Sequence, residues 1–203
     1  LIIEQMSRSS GEGVRPAECL LPAGTLGELF LMEKRPKMTS VQSRRLAEGL
    51  EQTGHAIEPD VRLTNRPYQW DESVAVFLRT EDDEVDKGRY AGASSVLRLG
   101  LVVAEADGVV EEEELRVLGD QINAAFRLPS HELRRMEALR SLLLKTGSEL
   151  SVVAKRLETS LTPDAKRAVG RLLVAIAAAN GSIHQQEQVA LRKCFRALGL
   201  PPA

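Results

Sequence analysis

Leu99-Gly-Leu-Val-Val-Ala-Glu-Ala-Asp-Gly-Val-Val-Glu-Glu-Glu-Glu-Leu-Arg-Val-Leu118 returns, at a constant offset of 73 residues, as Leu172-Leu-Val-Ala-Ile-Ala-Ala-Ala-Asn-Gly-Ser-Ile-His-Gln-Gln-Glu-Gln-Val-Ala-Leu191. Asp107-Gly108 falls on Asn180-Gly181, Val110 on Ile183, Glu114 on Glu187 and Leu118 on Leu191. Each copy reads as an apolar helix, a glycine turn and a second, polar helix. The turn Gly suits the positive φ needed between helices, and carboxylates in the following first turn face free N–H groups. Neither copy alone has the area to bury its apolar face. The two are therefore expected to pack about a pseudo-twofold axis in an all-α helical bundle.

Outward from the repeat, helix signals fill residues 92–203. Ser94 or Ser95 precedes Val96, Leu99 and Val103, an i, i+3, i+7 face. A second helix is expected over about Glu112 to Phe126, and a third from Ser130 through Leu133, Met136 and Leu143. Another is expected after Ser148, with Val152, Val153 and Leu157. Thr162-Pro163-Asp164 combines a capping hydroxyl, Pro at the first helical position and an early acid, and the last helix closes at Gly199 and Pro201. Residues 1–91 differ, holding most of the Pro together with Trp70 and both Tyr. We read them as a separate lead-in region of mixed or irregular structure. Thr39 or Ser40 is expected to cap a helix that ends at Gly54. Val61 and Leu63, then Val74, Val76 and Leu78, alternate with polar residues around Asn65-Arg66-Pro67, as in a short β-hairpin. Glu81-Asp82-Asp83-Glu84-Val85-Asp86 reads as a solvated acidic linker.

Composition narrows the function. The 203 residues are 43% hydrophobic, enough for a buried core, and 3% aromatic. A balance of 27 Lys+Arg against 29 Asp+Glu gives a net charge of −2 and no general attraction to nucleic acid or an anionic membrane. Arg134, Arg135, Arg140 and Lys145, with Lys155 and Arg156, read as the wet faces of amphipathic helices. Cys19 and Cys194 lack the spacing of a zinc site or redox pair. No phosphate-binding glycine loop follows a strand signal, Gly11-Glu12-Gly13 included, and no Ser, Cys or Lys has a recognisable nucleophile setting. The longest apolar stretch, residues 172–179, is too short to cross a bilayer, and the first residues lack signal-peptide order, so the cytoplasm is the expected compartment. Opening on Leu1 rather than Met, it is expected to be a piece of something longer.

The turn at Asp107 supports two readings. Asp107-Gly108-Val109-Val110 through Glu114 has the spacing of the second half of an EF-hand loop, but Val103 and Glu105 stand where the leading carboxylates belong. A calcium loop of that kind is excluded by ligand count. In one reading the motif is only a turn and a helix cap. In the other, Glu105, Asp107, Glu111 and Glu114, with Glu187 of the second copy, are oxygen ligands to a divalent cation such as calcium, magnesium or zinc. Asn180 and His184 replace acids in the second copy, which weakens a hard-cation site there. His184 in an exposed first turn reads as solvated, and His131-Glu132-Leu133-Arg134-Arg135, without a second His, reads as a helix start.

The pattern Ala104-Glu-Ala-Asp-Gly-Val-Val-x-x-x-Glu114, repeated as Ala177-Ala-Ala-Asn-Gly-Ser-Ile-x-x-x-Glu187, resembles the tellurite-resistance TerB family over roughly residues 92–200. Ile57-Glu58-Pro59-Asp60-Val61-Arg62 with Val74-Ala75-Val76-Phe77 looks like the lead-in of longer multidomain proteins of that family. The resemblance implies a helical domain with an acidic surface, proposed for divalent metal binding, in bacterial membrane-associated stress-response or defence complexes. It leads us to expect a non-enzymatic interaction or metal-responsive module whose partners are proteins, including other domains of the same longer chain. Such a module would have no cofactor beyond the cation and would reach the inner membrane only through those partners. The alternatives are a metal-free docking scaffold and, from another class, a hydrolase-type enzyme.

Overall fold

Thr39 begins the first clear helix as expected: its side chain accepts from the Gln42 N–H at 3.1 Å while Gln42 Oε1 accepts from the Thr39 N–H at 2.9 Å, closing a capping box. The computed structural model describes residues 18–79, 84–148, 162–179 and 181–201. The helix expected after Ser148, with Lys155 and Arg156, lies outside the described residues, as do Gly11-Glu12-Gly13, Glu81 to Asp83 and Asn180. The described elements are β1 (Glu18–Pro22), α1 (Ala23–Leu29), α2 (Ser40–Gln52), β2 (His55–Glu58), α3 (Val61–Thr64), β3 (Ser73–Leu78), α4 (Lys87–Ala104), α5 (Glu112–Phe126), α6 (Ser130–Thr146), α7 (Pro163–Ala177) and α8 (Gln185–Ala197). The chain divides into two units: Leu1–Ala91 with Pro129–Leu142, and Gly92–Leu128 with Leu143–Ala203.

In the first unit an antiparallel sheet of order β1-β3-β2 places Cys19 and Ile57 on either side of Val76. Leu26, Met38, Leu46, Leu50, Tyr68 and Trp70 complete its core. The hairpin expected from Val61 and Leu63 is not formed. β3 takes the second half of that pattern, but its partners are β1 and β2. Val61–Thr64 is a helical turn instead, capped where the Arg62 N–H donates to Asp60 Oδ1 at 2.8 Å and stopped at Asn65, which lies in the left-handed region. All four residues of β2 are buried, so it carries no period-two signature.

This unit buries charge. Arg135, read from the sequence as part of a wet face, is only 3% exposed. Its Nη1 lies 2.8 Å from Glu58 Oε1 and 3.7 Å from Asp60 Oδ2. The Tyr90 hydroxyl donates to the other Glu58 oxygen, and the Arg135 guanidinium stands 5.8 Å from the centre of the Phe77 ring. Arg89 grips Glu132 with two hydrogen bonds of 2.7 Å.

Gly24 opens the close approach of α1 to Trp70: its N–H donates to the Trp70 carbonyl at 2.7 Å, and an added Cβ would fall 2.2 Å from the indole Nε1. Gly24→Ala is expected to lower stability by about 1–3 kcal/mol through overpacking, read as a lower urea midpoint at unchanged slope.

α4, whose residues from Gly92 on belong to the second unit, starts at Lys87, well before Ser94, because Asp86 Oδ1 accepts from the N–H groups of Gly88 and Arg89 at 2.8 and 3.0 Å. The helix therefore runs through Gly92, where a Cβ would fall 2.6 Å from the Phe126 ring. α7 packs on α5 and α8. An added Cβ on Gly100 of α4 would meet Leu118 and Ile176, so α4 approaches both α5 and α7. Thr162 caps α7 with Pro163 at its first position, as the sequence indicates.

Candidate functional site

Two turns of the same local geometry meet in the second unit. After α4, Gly108 takes φ +87°, Asp107 Oδ1 accepts from the Val109 N–H at 3.0 Å, and Glu111 leads into α5. After α7, Gly181 takes φ +89° and His184 leads into α8. Each following helix bends the carboxylate of its third residue back to the residue that precedes it. Glu114 Oε2 accepts from the Glu111 N–H at 3.0 Å, and Glu187 Oε2 from the His184 N–H at 2.6 Å. This satisfies helix N–H groups that would otherwise be orphaned.

Among the described residues the two capping carboxylates are also the most buried acids of the unit: Glu114 is 2% exposed and Glu187 1%. They are hydrogen-bonded to each other. Two ionised carboxylates can only accept hydrogen bonds, so the neighbouring acid disfavours the charged form of Glu114. Burial, with the Glu187 and Glu111 charges adding to it, pushes Glu114 up to about 7. The turns also touch through His184, whose Nδ1 is 3.4 Å from Asp107 Oδ2 and 3.5 Å from Glu187 Oε2.

Of the five acids read as ligands, three gather here: Asp107, Glu114 and Glu187. Glu111 stays exposed at the head of α5, and Glu105 is half-buried just past the end of α4, its carboxyl pushed up by burial. His184, read as solvated, is half-exposed yet joins the two turns. The i, i+3 capping pattern could have revealed the Glu187 to His184 bond, but nothing local reveals the contact with Asp107. Glu111, Glu112 and Glu113 stand on the surface, with Val109 beside them 62% exposed. Among the described residues no group of three or more His, Cys, Asp or Glu side chains is disposed to hold a metal ion. One oxygen of each of Glu114 and Glu187, Oε2, already accepts from a backbone N–H at a helix start.

Among the described residues no helix is long and apolar enough to cross a membrane. A family model described as tellurite resistance protein TerB matches residues 83–203. No curated protein and no solved structure matches the chain. The family match spans more than half of the 203 residues and includes both glycine turns and their carboxylate caps. The chain belongs to the tellurite resistance protein TerB family.

Proposed function

We propose that the chain is a non-enzymatic interaction module of a bacterial, tellurite-resistance-like stress response or defence system. It works in the cytoplasm, within a longer protein or complex, and docks a basic protein partner through the acidic turn after α4. One observation carries this reading: the turn divides its acids by role. Glu114 and Glu187 turn inward and fix the backbone, while Glu111, Glu112 and Glu113 face solvent on the first turn of a capped helix. A rigid acidic face of this kind steers and orients a cationic partner. We read the two helix–turn–helix segments as halves of a pseudo-twofold unit that the carboxylate pair ties together.

The metal-responsive reading uses the same side chains and stands second, because among the described residues no group of three or more His, Cys, Asp or Glu side chains is disposed to hold an ion. Calorimetric titration of the chelator-treated chain separates the two, first with calcium, magnesium, zinc and manganese, then with an oligolysine probe at low and high salt. Docking predicts saturable oligolysine binding that needs no metal, weakens steeply with salt and falls at least about tenfold in Glu111→Gln/Glu112→Gln. Saturable heat from a cation, lost in Asp107→Asn/Glu114→Gln, would replace docking with metal sensing.

A further inference from the structure

The same helix pair that ends at the acidic turns begins at a groove of opposite character. Where α7 starts and α8 ends, a groove of about 710 Å³ has a floor that includes Gly170, Phe195 and Leu200. Its rim carries Lys166, Arg167 and Arg171, and among the described residues none that lines it is acidic. Arg167 also reaches out to Asp164, which is almost wholly exposed. Gly170 draws the floor tight: a Cβ there would lie 3.0 Å from Leu200 Cδ1 and 3.2 Å from Phe195 Cζ.

The acidic turn carries the inverse pattern: the exposed Val109 lies in sequence between Asp107 and Glu111–Glu113, of which Glu113 is paired with Arg116. An exposed apolar residue flanked by acids complements an apolar hollow flanked by cations. One chain cannot satisfy itself. The 15 residues of α7 span about 22 Å between the two features, with the groove at the helix start and the turns beyond its end. We propose that the groove takes the acidic turn of a second copy of this chain, so that copies associate head to tail. The contact is heterologous and grows into a chain or closes into a ring. It rests on the reading of the acidic turn as a docking face and names that face's partner.

Sedimentation velocity of the full chain tests this. At low salt the weight-average mass is expected to rise with protein concentration and to return to the monomer value at high salt. Glu111→Lys/Glu112→Lys/Glu113→Lys makes the turn cationic, and Lys166→Glu/Arg171→Glu makes the groove anionic. Each variant alone then sets like charge against like, and is expected to self-associate at least about tenfold more weakly than wild type. Mixed in equal amounts they pair opposite charges at every contact, and association is expected to return. A synthetic peptide of residues 105–116 is expected to dissolve the wild-type assemblies, a readout that does not depend on how the variants fold. A wild-type chain that stays monomeric at millimolar concentration, or a mixture that fails to associate while each variant melts like wild type, overturns the proposal. If the chain still binds oligolysine in that case, the acidic docking face stands and only its partner is wrong. If it binds neither, both readings fall.

Discussion

Arg135→Ala is expected to lower the stability of the first unit by about 3–5 kcal/mol well above neutral pH, the cost of removing one partner from a buried ion pair. Glu58 is fully buried, and without the guanidinium its charge would keep the Tyr90 hydroxyl as a donor but face the buried Asp60 carboxylate as well. Trp70 is the chain's single tryptophan and lies 4% exposed in the core of this unit, so urea unfolding followed by its fluorescence reads the effect there. The loss carries a pH signature. Burial pushes Glu58 up to about 7 even with Arg135 beside it, and deleting Arg135 raises it further. A carboxyl whose folded value lies above its unfolded one contributes stability below the unfolded value of 4.5 and loses it as pH rises through the folded value. The gap between variant and wild type should therefore be small near pH 5 and widest above pH 7. Glu58→Gln introduced into Arg135→Ala removes the stranded charge and should flatten that slope. A cost below about 1 kcal/mol with no pH dependence would show that the pair does not hold the unit together.

This ion pair also marks where the sequence stops being legible. Both helix–turn–helix segments were readable from Leu99 to Leu118 and from Leu172 to Leu191, because Gly at positive φ and Glu three residues into a helix act on their own neighbours. The Thr39–Gln42 box and the Thr162-Pro163 start were readable for the same reason. Arg135 was not. It meets Glu58 across 77 residues of chain, and on its own helix it looks like one more cation in a charged run. β2 was hidden because it is buried along its whole length, and Val61–Thr64 imitated a strand by alternation until Asp60 capped it as a helix. At the candidate site each carboxylate could be placed as a cap. That Glu114 stands beside Glu187, and that His184 reaches Asp107, depends on two turns meeting 73 residues apart.

Glu114→Gln is expected to stabilise the second unit above neutral pH and to leave it nearly unchanged near pH 5. The amide keeps the shape of the carboxylate: its oxygen can still accept from the Glu111 N–H, and its NH₂ can donate to Glu187 where the wild-type carboxyl must be protonated to do so. In the wild type Glu114 is pushed from 4.5 up to about 7, so the folded state binds a proton that the unfolded state releases. Stability from that proton is complete below pH 4.5, declines between 4.5 and 7, and is absent above. The interval corresponds to about 3 kcal/mol. Other groups face the pair from every side: Glu111 on the same helix start, Asp107 across the turn, and His184, whose Nδ1 stands between Asp107 and Glu187. Glutamine at 114 removes one acid from this set while adding a donor. Unfolding followed by helical ellipticity, compared with Trp70 fluorescence for the first unit, should show the wild-type decline with pH largely abolished in the variant. A variant less stable than wild type by more than about 1 kcal/mol at every pH would mean that the glutamate at 114 carries a full charge the fold requires. The acid pair would then act as a fixed anionic centre, and the exposed acids of the turn could no longer be treated as the only negative charge a basic partner meets.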